Sequence, residues 1–116
     1  MKKIIHVDNS EFFRKQMLSF LEAEGCEVES FESAQDAHFA ISGGLANMII
    51  MWLTFSDIEG EKLLSRTVDG FAGPVVVVSS SIDENNIKKL IKLGARAVFN
   101  KSGSWKEGLK PHLSAL

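Results

Sequence analysis

The stretch Met48-Ile49-Ile50-Met51-Trp52-Leu53 is the most apolar hexapeptide of the chain, and it runs into a polar segment, Thr54 to Glu59, closed by Gly60. A continuous apolar run bounded by turn-type residues reads as a strand covered on both faces, which is what the middle of a parallel sheet requires. It is taken as the central strand, over 48–53. In open parallel sheets ligands and chemistry lie beyond the carboxyl ends of the strands, so Trp52 and Leu53 are expected at the rim of the functional crevice. The side chain standing there is an indole, neither an acid nor a nucleophile.

The flanking sequence supplies the rest of an alternating pattern. Lys3 to Val7 reads as a first strand, and Ser10 to Glu24 as a helix with Phe13, Met17, Phe20 and Leu21 at helical spacing, ended by Gly25. Glu27 to Phe31 alternates polar and apolar residues, as an edge strand with one wetted face does. Ser33 with Asp36 has capping-box-like spacing and opens a short helix through Ile41, before Gly43 and Gly44. Ser56 with Glu59 repeats that spacing before a third helix carrying Leu63, Leu64 and Val68. Pro74 then leads into four consecutive valines and Ser79, a buried strand by its β-branched stiffness.

Ser81 with Glu84 opens a fourth helix with Ile87, Leu90 and Ile91 on one face, closed by Gly94. Ala97 to Asn100 is a short fifth strand. Ser104 with Glu107 caps a last helix whose inner stripe is Trp105, Leu109 and Leu113. Five strand–helix alternations with short connections specify an α/β fold: a three-layer αβα sandwich, a doubly wound five-stranded parallel sheet with right-handed crossovers. The 116 residues, 45% hydrophobic with a formal charge of −2, form one domain, 1–116.

Composition excludes several classes. The opening apolar run stops at Asp8, too short for a secretory signal core or a membrane span, so a cytoplasmic protein is expected. The single cysteine, Cys26, reads as a buried inert thiol and permits no disulfide framework. His6, His38 and His112 fall on separate elements without ligand spacing. Charge is unevenly placed. Residues 1–82 carry six basic side chains against twelve acids, and residues 83–116 carry seven against three, so −6 faces +4. Lys88, Lys89, Lys92, Arg96, Lys106 and Lys110 supply most of that basic half, either as ordinary solvated helix faces or as a surface for an acidic partner.

The strand ends collect Asp8 and Asn9, then Trp52, then Ser79 and Ser80, then Lys101. This set, with its spacing, resembles the receiver domain of two-component response regulators (CheY-like). Ile5-His6-Val7-Asp8-Asn9-Ser10 matches the acidic turn after that family's first strand, and Pro74 to Ser79 the strand bearing a switch hydroxyl. Gly94 to Lys101 matches the segment ending in the family's lysine, and Glu59-Gly60 the Asp-Gly before its third helix. The resemblance covers nearly the whole chain and implies the flavodoxin-like strand order 2-1-3-4-5.

In that family an aspartate at the end of the third strand accepts a phosphoryl group from a histidine kinase, beside magnesium held by it and the acidic turn. Counting eight residues back from Gly60 places Trp52 there. Indole offers one N–H donor and no nucleophilic oxygen, so it neither accepts a phosphoryl group nor ligates magnesium. Asn9 replaces the second acid of the turn, leaving Asp8 as the matched carboxylate and weak or no magnesium binding, hence no cofactor, as the expectation. Ser102 stands where the family has proline, so a trans, reshaped loop is expected there. Val98 stands where it often has a switching aromatic. Of the relay only Ser79 and Lys101 remain.

The resemblance therefore implies a degenerate receiver. Such a receiver is expected not to be an enzyme and to act through protein–protein contact independently of phosphorylation, with Asp8, Asn9, Trp52, Ser79 and Lys101 as a degenerate phosphorylation site. Each survivor also has a structural reading. Asp8 and Lys101 are expected to pair with each other or with nearby amides, Ser79 to satisfy loop amides, and Trp52 to fill the pocket as core with its N–H on a carbonyl, Lys101 lying over its face. The implied partner surface is the fourth helix, fifth strand and fifth helix, meeting a signalling protein or a second copy, with neither nucleic acid nor membrane contacted by this domain. Two alternatives compete: a conventional regulator phosphorylated at an unorthodox acceptor such as Asp57, and a small flavodoxin-like enzyme or flavin protein. The acidic turn Asp8-Asn9-Ser10-Glu11 lacks the phosphate-cradling amides that the latter needs.

Overall fold

In the computed structural model, which describes residues 1–53 and 58–116 with the side chains of 58 and 59 left aside, strands and helices alternate along the chain. They are β1 (Lys2–Val7), α1 (Glu11–Ala23), β2 (Cys26–Phe31), α2 (Ala34–Ser42), β3 (Met48–Met51), α3 (Ile58–Gly70), β4 (Val75–Ser79), α4 (Glu84–Lys92), β5 (Ala97–Asn100) and α5 (Trp105–Ser114). All strand pairings are parallel, in the order β2-β1-β3-β4-β5. The apolar run over 48–51 is the central strand, with Ile4 to Val7 on one side and Val75 to Val77 on the other.

The pleat sorts the side chains of β3 and β4 into two cores. Ile49, Met51, Val75 and Val77 face Ala37 of α2, Leu64 of α3 and Leu90 of α4. Met48, Ile50, Val76 and Val78 face Phe13, Met17 and Leu21 of α1 and Trp105, Leu109 and Leu113 of α5. Every residue of β3 and β4 is buried, which explains why neither strand shows alternating polarity. At the turn between α4 and β5 the chain passes close under α3. Gly94 has φ +114, and a Cβ there would lie 2.6 Å from Val68 Cγ1, so only glycine fits.

Three local expectations are corrected. The central strand ends at Met51, not Leu53: the Trp52 N–H still reaches the Val7 carbonyl at 3.0 Å, but the Leu53 N–H turns to the Ser79 hydroxyl at 2.8 Å, so a side chain takes over the ladder. The fourth helix is capped by Asp83, whose Oδ1 accepts from the Asn86 N–H at 2.8 Å, rather than by Ser81. Ser81 has φ 57, left-handed, whereas Asp83 has the extended backbone that capping needs. Ser104 occupies the cap position of α5 without a side-chain hydrogen bond. The Ser33 cap is as read, its Oγ accepting from Asp36 N–H at 3.1 Å, and Ser10, not singled out as a cap, holds α1 in the same way, its Oγ accepting from Phe13 N–H at 3.2 Å. The Ser56–Glu59 spacing and Asp57 lie outside the described residues. Among those described, no helix is long and apolar enough to cross a membrane.

His6 is an exception to the apolar interior. It lies buried on β1 with its ring 6.0 Å from that of Phe13, and Nδ1 has no hydrogen-bond partner. Burial, with Lys101 and Arg14 adding like-charge repulsion, lowers its pKa from 6.5 to about 3. The unfolded chain therefore binds a proton in the window from 6.5 down to about 3 that the folded chain refuses, and stability falls as pH falls through it. The slope is ~1.4 kcal/mol per pH unit for one group. Urea unfolding midpoints measured from pH 7 to pH 4 are expected to drop for the wild type and to drop less for His6→Leu; equal slopes for both would contradict this.

Candidate functional site

The carboxyl ends of β1, β3, β4 and β5 converge on Asp8, which is fully buried. Three constraints place it. Its N–H continues the β1–β2 ladder to the Phe31 carbonyl at 3.0 Å, its Oδ1 accepts from the Ser10 N–H at 2.8 Å, and its Oδ2 stands 2.8 Å from Lys101 Nζ. The Arg14 guanidinium adds a fourth bond, Nη1 to the Asp8 carbonyl, at 2.6 Å. Asx-type bonding of an aspartate to the amide two residues on is a common turn device, and here it also aims Ser10 to cap α1.

Lys101 arrives from the other side of the sheet. Its N–H bonds the Ser79 carbonyl at 2.8 Å, which ties the end of β5 to the end of β4. Its side chain, 15% exposed, crosses to Asp8 and passes 4.4 Å from the centroid of the Phe13 ring and 5.9 Å from that of Trp52. The reach is not upset by Ser102. No cis peptide bond occurs among the described residues, and Asn100 Oδ1 holds the loop by accepting from the Ser102 N–H at 3.2 Å and its hydroxyl at 3.0 Å. Ser79 is fully buried and its hydroxyl is committed to the Leu53 amide.

Trp52 departs from the sequence reading. Leu53 is the buried residue of the pair, packed with the α2–α3–α4 core, and Trp52 turns to the opposite side of the sheet, half-buried beside α1 and the β5–α5 loop. Its indole lines a cleft instead of filling core, and among the described residues its N–H donates no hydrogen bond. Lys101 lies nearer to Phe13 than to Trp52. Asn9 is exposed at the rim.

Asp8, Trp52, Ser79 and Lys101 are thus brought together as their spacing implies. Phe13, Arg14 and Asn100 belong to the same constellation and were not singled out. Arg14 alone left a signal, as the one basic residue of α1's first turns that sits six positions after Asp8.

The basic residues divide. Lys88, Lys92, Arg96, Lys106 and Lys110 are exposed on α4, the turn before β5, and α5, the elements that border the open β5 edge of the sheet. Lys89 instead reaches across to Glu61 of α3, 2.6 Å away. Lys110 pairs with Glu107 at 3.4 Å on its own helix, and Lys106 stands 5.6 Å over the Trp105 ring.

A family model described as the response regulator receiver domain matches residues 4–110. No curated protein matches the sequence. Among solved structures, a two-component response regulator from Clostridium difficile superposes with a TM-score of 0.85 at 19% identity, covering 99% of this chain and 94% of that one. A response regulator from Thermotoga maritima gives 0.85 at 21% identity, covering 99% and 96%. A CheY-like receiver domain protein from Methanospirillum hungatei JF-1 gives 0.82 at 22%, covering 99% and 93%. At these identities the structural likeness speaks for the fold, and it agrees with the strand order observed here. The family model spans both the acidic turn at Asp8 and the lysine at 101, and on that evidence the chain belongs to the response regulator receiver domain family of two-component signalling.

Proposed function

We propose that this receiver domain, a single cytoplasmic unit over 1–116, signals through protein contact without a phosphoryl switch. The observation that carries the reading is the commitment of Asp8. One carboxylate oxygen accepts an amide hydrogen and the other is held by Lys101, while the next residue after β3 is a tryptophan. A phosphorylatable site needs an acceptor carboxylate there and oxygen ligands for magnesium, which is usually held by one or two carboxylates with waters and phosphate oxygens. The residues present do not suit that ion: Asn9 is exposed, Trp52 has no oxygen, and the described residues contain no group of three or more acidic, histidine or cysteine ligands. The Ser79 hydroxyl, which the family moves toward a phosphoryl group, is bonded to backbone within the fold.

Incubation with acetyl phosphate and magnesium is expected to leave the intact mass unchanged. A gain of one phosphoryl group, at Asp57 or any other carboxylate, would replace this reading with that of a regulator using an unorthodox acceptor.

The contact surface on this reading is α4, β5 and α5, where exposed cations outnumber acids and Ile91, 43% exposed, adds an apolar centre. It suits an acidic signalling protein or the acidic half of a second copy. Reversing Lys88, Lys92 and Arg96 to glutamate is expected to abolish most partner association, and raising salt from ~50 to ~300 mM to weaken it in the wild type, because exposed pairs are screened. Reversing Lys89, which is engaged with Glu61, is expected to loosen the α3–α4 contact and to affect association less. Unchanged association after reversal of Lys88, Lys92 and Arg96 in a folded protein would place the partner elsewhere.

A further inference from the structure

A cleft opens above the Asp8–Lys101 pair, beside Trp52. Its volume is about 600 Å³, within the ~300 to 1,000 Å³ typical of small-molecule sites. Among the described residues Phe12, Phe13 and Trp52 line it with aromatic side chains, beside uncharged hydrogen-bonding groups such as those of Gln16, Ser80 and Asn100. Phe12 is 72% exposed at the mouth, and the indole N–H of Trp52 is without a hydrogen-bond partner among the described residues. A tryptophan and a phenylalanine left partly in water beside amide and hydroxyl groups form the kind of lining that gives a ligand both apolar area and orientation.

The charge balance of the floor narrows the ligand. Among the described residues of the lining Lys101 is the cation, and it is already paired with the buried Asp8 carboxylate at 2.8 Å. An anionic ligand would have to compete with that carboxylate, and a cationic one would meet Lys101. The backbone of the lining is also unusual. Ser81 is the one non-glycine residue with positive φ among those described, and such conformations concentrate at ligand-holding loops.

We propose that this cleft binds a planar aromatic small molecule, uncharged and bearing hydrogen-bonding substituents, stacked against Trp52 and Phe12. The proposal rests on the reading that Asp8, Trp52 and Lys101 are not a phosphoryl site, since a phosphorylated centre would claim Lys101. It goes further by giving the domain an input. The lining includes Ser80 and Ser81 from the β4–α4 loop and Asn100 to Ser102 from the β5–α5 loop, so an occupant touches both connections to the surface assigned to the partner.

The test is an amide NMR titration of the whole chain with p-hydroxybenzamide, nicotinamide and, as the saturated control, cyclohexanecarboxamide. At least one aromatic amide is expected to give saturable shifts at the Trp52 indole N–H and at the amides of Ser80, Ser81, Asn100 and Ser102. The saturated amide and the Phe12→Ser variant are each expected to bind roughly threefold to tenfold more weakly, the range that a lost aromatic contact represents. Phe12 is mostly in solvent, so that variant tests the site without endangering the fold; Trp52→Leu provides a second reading. No saturable shift from either aromatic amide, equal shifts from the saturated one, or shifts remote from the cleft would overturn the proposal. Binding of N-acetyltyrosinamide alone would do so too, by marking the cleft as a seat for a partner's side chain. A phosphoryl mass gain in the same preparation would instead remove the reading beneath it.

Discussion

The buried pair between Asp8 and Lys101 is the constraint on which the working end of this molecule depends. A carboxylate with no solvent exposure must be compensated in place, and Asp8 is compensated by the Ser10 amide and by the lysine ammonium. Each compensating group belongs to a different part of the chain. Ser10 starts α1, and Lys101 closes β5, so one ion pair fixes the turn after the first strand against the end of the last. Removing either partner of such a pair costs about 3 to 5 kcal/mol, because the other charge is stranded. The pair is therefore better understood as a demand on the fold than as a source of stability.

That demand shapes what the site can do. A receiver that switches needs its lysine, its hydroxyl and its acidic turn free to rearrange around an incoming group. Here the lysine is over Phe13 and against Asp8, the Ser79 hydroxyl is spent on the Leu53 amide, and the position past β3 carries an indole. A ligand shifts an equilibrium only by its differential affinity for two states, and on the proposed reading the phosphoryl route offers no such difference. On that reading regulation falls to occupancy of surfaces: the basic border of the sheet for a partner, and the proposed aromatic cleft for a small molecule. The cleft lining includes residues of the β4–α4 and β5–α5 loops, which lead into the elements of that border.

Much of the fold was legible in the residues. The four valines and the run from Met48 read as interior parallel strands, and Ser33 marked its helix by spacing alone. The misreadings share a cause, which is that local patterns are blind to what the rest of the molecule offers. Trp52 and Leu53 continue the apolar run, and nothing in the run tells that Ser79, 26 residues on, supplies a hydroxyl to end the strand. Ser81 and Asp83 are both capping residues, and the choice between them was made by the left-handed backbone at Ser81. Periodicity identified Phe13 as core, and it is buried, but its second role beneath Lys101 is a contact between residues 88 apart that no spacing rule anticipates.

The most direct test of the account is whether the site holds one state. Amide spectra of the protein recorded with and without magnesium and beryllofluoride, a phosphoryl mimic, should superimpose, with Asp8, Ser79 and Lys101 unmoved and α4 and β5 unaffected. Shifts at those three residues that spread to α4 and β5 would show a responsive phosphoryl switch, and the account of Asp8 and Lys101 as a closed pair would be wrong.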